Sequence, residues 1–355
     1  MTALPSSSHP LHRVAGLLLV GILPLAAGSA SGQAQSASPS TDVSADGARE
    51  GSASSGSEPA FGVLVMAHGG TEVWDEAVLD AVRGMGSSHP VEVAFGMASA
   101  ETIQEATERL EARGVRRIGV VRLFVSGESW LERTRQILGL EPGAPSREEA
   151  PPAHGGGHHD FAATFWKIRS ESGFAVSEEG LSQAHGMSRV LVDRARALSE
   201  DPARESVLIL AHGPGDDEEN QRWIADLEEL ARPLREGMGF ARVEVQTLRE
   251  DWEEKRDVAE ARVRSFVESA NEGDGRCLVI PFRVFGFGPY AEVLEGLEYV
   301  ADERGLLPHE AVSEWMAEQA EILEGGSFAA ARLDGAAITS AASPPSPPES
   351  SANRP

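Results

Sequence analysis

Two histidines occupy matching places in this sequence. Residues 63–70 read Val-Leu-Val-Met-Ala-His-Gly-Gly, and residues 207–214 read Val-Leu-Ile-Leu-Ala-His-Gly-Pro. Each run is apolar, ends in Ala-His-Gly, and is followed by an acidic amphipathic stretch. A neutral imidazole at a strand's carboxyl end can ligate a divalent transition metal or accept a proton near neutral pH. His68 and His212 are therefore the first candidates for chemistry. Carboxylates that could share a cation with them are Glu128 after the third strand of the first copy, and Glu250, Asp251, Glu253 and Glu254 in the second. An acid beside an imidazole can also take a proton. His154, His158 and His159 form a short tract in a Gly-rich loop, a composition that binds metals loosely. Trp130, Tyr290 and Phe287 are aromatic surfaces on which a flat ligand could stack. His89, before Pro90, and His185, before a helix, read as structural.

The elements that must position these residues follow from periodicity. In the first copy, strands are expected at Phe61–Ala67, Val91–Met97 and Arg117–Val125. Helices are expected over Trp74–Gly84, over Glu101–Arg113 and around Trp130–Ile137. A further strand near Phe165–Ile168 and a helix over Ser188–Leu198 complete that copy. In the second copy, strands are expected at Ser206–Ala211, Val243–Leu248 and Cys277–Phe285. Its helices are expected over Asp216–Arg235, Trp252–Ala270 and Tyr290–Glu303. Strands alternating with helices predict an α/β fold built from parallel sheets. A repeated unit of this length predicts two tandem half-domains, each a parallel sheet flanked by helices, with a cleft between them. Ligands in such sheets bind at the carboxyl ends of the strands, where both histidines stand.

Composition bounds the rest. The chain has 355 residues and a formal net charge of −25, which argues against nucleic acid as a partner. The single cysteine, Cys277, excludes an intramolecular disulfide and a thiolate-held iron–sulfur cluster, and reads as a small buried apolar residue. Residues 1–34 read as a signal peptide: His12 and Arg13 precede the apolar run Val14–Ala27, and small residues follow. Export to the periplasm or the cell exterior is expected, with no stable membrane span after processing. Residues 35–60 read as a disordered linker and 326–355 as a disordered tail. Between them lie half one at 61–140, a Pro/Gly/His-rich loop at 141–160, the end of half one with the crossover at 161–205, and half two at 206–325.

Strand-His-Gly at the start of a half, then Arg-Arg-Ile-Gly-Val-Val-Arg-Leu-Phe-Val-Ser-Gly over 116–127, resembles the class II chelatases, the sirohydrochlorin cobalto- and ferrochelatases of the CbiX/SirB type and their CbiK-type relatives. Gly-Leu-Ser-Gln-Ala-His over 180–185 resembles the entry to that family's second half. The resemblance implies ATP-independent insertion of Co²⁺ or Fe²⁺, with Ni²⁺ also open, into a sirohydrochlorin-like tetrapyrrole. The metal is then a substrate, held over the ring by His68 or His212. The family's second histidine, just after the third strand, is not matched. Glu128, Ser129 and Trp130 stand there in one half, and Gly288, Pro289 and Tyr290 in the other. An exported, non-catalytic metal- or tetrapyrrole-binding protein is the alternative. An α/β-hydrolase is a lesser one, because Gly-Glu-Ser-Trp-Leu over 127–131 has Leu131 where a nucleophile elbow needs a small residue.

Overall fold

The computed structural model describes residues 60–151 and 163–330. The proposed signal peptide, most of the linker, His154, His158, His159 and the tail beyond 330 lie outside the described residues.

Two sheets carry the fold. The first has the order β2-β1-β3-β4-β9, from β1 (Ala60–Ala67), β2 (Val91–Phe95), β3 (Val115–Leu123), β4 (Gly173–Val176) and β9 (Ala329–Ala330). The second has the order β6-β5-β7-β8, from β5 (Glu205–Ala211), β6 (Arg242–Thr247), β7 (Arg276–Phe282) and β8 (Val300–Ala301). Both run second-first-third-fourth, so the sequence repeat is a repeat of topology. All pairings are parallel except β4 with β9.

The central strands are apolar throughout because both faces are covered. Along β1, Val63, Val65 and Ala67 point into one core, while Leu64 and Met66 point into another. Along β5, Val207, Ile209 and Ala211 enter the same core as Val63, and Leu208 and Leu210 enter a third. The period of two thus divides each strand between an outer layer of its own half and one core common to both halves. Helices α1 (Glu72–Gly84), α4 (Met187–Leu198) and α5 (Asp217–Gly237) add Val78, Leu191 and Leu227 to that common core. Helices α2 (Ala100–Ala112), α3 (Leu131–Ile137) and α6 (Glu253–Ala270) cover the outer faces through Ile103, Ile137 and Val263. No helix among the described residues is long and apolar enough to cross a membrane.

The structure differs from the expectation in four places. Phe165–Ile168 is not a strand. Trp166 and Ile168 are buried in a loop that lids the first outer core, and the fourth strand is Gly173–Val176. An apolar cluster without alternation reads alike as lid and as strand. The helix expected to run from Tyr290 to Glu303 is a single turn, α7 (Tyr290–Val293), because Gly296 turns the chain at φ +82° and β8 follows. Helix α8 (Glu310–Glu324), unforeseen in the sequence, follows the second half but packs on α1 and β3 of the first. Order also persists past 326, where Phe328 packs edge-on to Phe61 and beneath the Arg117 guanidinium.

Candidate active site

His68 and His212 end the central strands of their sheets, and the backbone makes the same turn after each. The following glycines, Gly69 and Gly213, take φ of +73° and +75°. That region is costly for any residue with a Cβ. The turn brings each glycine carbonyl back onto its own histidine. His68 Nδ1 lies 2.7 Å from Gly69 O, and His212 Nδ1 lies 2.8 Å from Gly213 O. A carbonyl can only accept, so Nδ1 carries the proton in both rings. The Nε2 lone pair of each is left for a ligand, as in metal-binding histidines whose other nitrogen is held by a carbonyl.

Both imidazoles open into one cleft of about 1020 Å³ between the halves. Its walls include Trp74, Trp130, Trp223 and Trp252, with Phe124, Met97 and Val284. Each histidine has its own indole. His68 stacks on Trp74 at 5.5 Å and 28°, and His212 meets Trp252 edge-on at 6.3 Å. The cleft therefore offers broad apolar walls with two nitrogen donors, a shape and chemistry suited to a flat macrocycle.

The halves differ in their acids. His212 Nε2 is 3.1 Å from Asp251 Oδ2 and 3.9 Å from Glu250 Oε2. With the ring proton on Nδ1, nitrogen and carboxylate present lone pairs to each other, and a shared proton or a metal ion must stand between them. Glu250 is nearly buried and is also ion-paired to Arg283. The corner is held from behind. Arg249 lies in a left-handed conformation at φ +60°, gives its backbone N–H to His212 O at 2.7 Å and reaches Gly215 O at 2.6 Å. Beside His68 the nearest wall is Trp74.

Glu128, expected as a base, lines the cleft but accepts two hydrogen bonds from Arg222 of α5, both 2.7 Å. The guanidinium holds this carboxyl below its usual range, so Glu128 is a weak proton acceptor and a strut between the halves. Glu219 and Asp226, across from it, are pushed up by burial.

Trp130 stands on the cleft wall. Tyr290 and Phe287 do not. Tyr290 is wholly buried in the outer core of the second sheet, with Phe287 packed edge-on against it at 5.5 Å. The Gly286-Phe287-Gly288 turn directs both away from the cleft. Glu253 opens α6 on the solvent side, outside the cleft lining, where its charge suits the helix N-terminus. Among the described residues, no three His, Cys, Asp or Glu side chains converge on one metal-sized point. The His212 corner could therefore supply only part of a coordination shell.

Sequence pattern alone does not single out Trp74, Trp252 and Arg283, which also line the cleft. Trp74 is six residues beyond His68 and could have been found from that spacing; Arg283 reaches Glu250 only through the fold. The hydrolase reading needs its serine at the strained residue of a strand-to-helix turn, and here the left-handed residue is Trp130, at φ +60°, rather than Ser129.

Residues 62–130 match the CbiX family. A sirohydrochlorin cobaltochelatase of Methanothermobacter thermautotrophicus is 34% identical over 94 residues, which are 25% of this chain and 66% of that protein. The match thus spans just under two thirds of the relative's length. SirB from Bacillus subtilis, solved with Fe³⁺, shares the fold with a TM-score of 0.53 and 13% identity, over 75% of this chain and 96% of that one.

Proposed function

We propose that this chain, a member of the class II chelatase family through its CbiX segment at residues 62–130, is an enzyme that inserts a divalent metal ion into a tetrapyrrole of the sirohydrochlorin type. The observation that carries this reading is the His212 corner, where Nε2 and the Asp251 carboxylate face each other at 3.1 Å on one wall of a wide aromatic cleft. The metal is the substrate. His212 Nε2 and Asp251 would hold it, with Glu250 close behind. The ring would lie between the indoles, with its nitrogens turned to the ion.

Insertion releases two pyrrole protons for each dication taken up. Once the ion has moved into the ring, His212 Nε2 and Asp251 are free to accept them. Binding energy from the aromatic walls can hold the ring in a distorted form whose nitrogens reach the metal. The relatives bring cobalt and iron into consideration, as a cobaltochelatase by name and as a structure with Fe³⁺. Co²⁺ and Fe²⁺ are therefore the ions to test.

The expected result with purified protein, Co²⁺ and sirohydrochlorin is a change in the ring's absorbance to that of the metallated ring, faster than without protein and catalytic in protein. Ring binding without turnover, for either metal, would make the protein a carrier and overturn the enzymatic reading.

A further inference from the structure

The two halves put different residues at one equivalent place. Ala67 pairs with Leu123, and Ala211 with Phe282. The next residues, Phe124 and Arg283, therefore correspond, and both line the cleft. One side is a phenyl ring; the other is a permanent cation. Arg283 Nη1 is ion-paired to Glu250 Oε1, with side chains only 15% and 10% exposed. The other carboxylate oxygen, Oε2, faces His212 Nε2 at 3.9 Å. The guanidinium lies 5.5 Å over the Tyr290 ring, and a Cβ at Gly288 would come within 2.6 Å of its Cζ. The cation is thus built into the wall, with a glycine making room for it.

We propose that Arg283 is a positioning residue that halves the negative charge at the His212 corner, so that the corner passes a divalent ion on rather than retaining it. This rests on the reading of the corner as the metal's entry point. A metal that is a substrate must leave its protein ligands for the ring nitrogens. Glu250 and Asp251 together offer two negative charges, and an imidazole adds a nitrogen donor. A dication held by all three with nothing opposing it would be slow to depart. One fixed positive charge on Glu250 offsets a large part of that attraction in a partly dry site, by about tenfold or more in affinity. On the other side the His68 ring stacks on Trp74, and Phe124 stands in the place of the arginine, so the device belongs to one half.

Arg283→Gln removes the charge and keeps a donor for Glu250, while Arg283→Lys keeps the charge. We expect Arg283→Gln to bind Co²⁺ about tenfold more tightly by calorimetry and to insert it into sirohydrochlorin about tenfold more slowly at saturating metal. Arg283→Lys should stay near the parent in both. Arg283→Met, which can pack over Tyr290, repeats the test if the Gln variant fails to fold. If either charge-free variant is folded and binds Co²⁺ no more tightly than the parent, Arg283 is only a structural support and the inference falls, with the chelatase reading intact. If the parent itself binds no Co²⁺, the metal reading and this inference fall together.

Discussion

His212→Ala should abolish metal insertion, with a loss on the order of a hundredfold or more, while His68→Ala costs about tenfold or less. The two imidazoles share the same turn, the same Nδ1 contact and the same cleft, so only their neighbours separate them. His212 Nε2 has Asp251 at 3.1 Å and Glu250 at 3.9 Å. His68 is exposed, and its partner is the Trp74 ring. Removing His212 takes away a nitrogen donor and leaves two carboxylates without the group they face. Removing His68 takes away a ring that lies flat on an indole, and Trp74 remains to contact the macrocycle. Ring affinity, read by quenching of the cleft tryptophans, should change little in either variant. The comparison is demanding, because the CbiX match covers the half that contains His68. A variant pair in which His68→Ala is inactive and His212→Ala is not would move the reaction to the other wall. A double variant as active as the parent would make both histidines structural.

What could be read in advance followed local pattern. Val63 to Ala67 and Val207 to Ala211 announce central strands because each is buried on both faces. The amphipathic α2 and α5 announce themselves by spacing, and the Ala-His-Gly repeat places both histidines at strand ends. What could not be read depends on contacts far apart in the chain or on which way a turn points. Glu250 and Glu253 look alike in sequence. Glu250 sits in the turn after β6 and faces inward to Arg283, whereas Glu253 begins a helix and faces water. Tyr290 follows a glycine-rich turn, as a cleft residue might, yet its ring fills the outer core. Arg122 hides in the mostly apolar β3, where burial brings its guanidinium down to about 10. Its charge is dispersed over the carbonyls of Gly127, Ser129 and Ser177 at 2.6–2.7 Å. Nothing local distinguishes such an arginine from one at a strand edge.

That arginine marks the second large effect. Gly127→Ala and Gly180→Ala should each destabilise the protein by about 2–3 kcal/mol, the range for forced overpacking. In these two segments one main chain crosses another with no space for a methyl group. A Cβ on Gly127 would lie 2.1 Å from Glu178 O, and one on Gly180 would lie 2.3 Å from Gly127 N. The crossing is pinned on both sides. Leu181 N donates to Phe124 O at 3.0 Å and Ser182 N to Val125 O at 2.7 Å, while Arg122 clasps the carbonyls. Backbone cannot swing aside as a side-chain tip can, so the segments must part and some of these bonds must break. The same turn carries Glu128, Ser129 and Trp130 to the cleft. Parting the segments should therefore loosen the Glu128–Arg222 strut and the Trp130 wall, and lower ring affinity together with stability. Gly186→Ala is the control, because a Cβ there meets nothing within 4 Å. Thermal melting should show a drop of roughly 5–10 °C for the first two variants and almost none for the third. Equal melting temperatures for all three would mean that the crossing opens at little cost, and that the position of Trp130 does not depend on it.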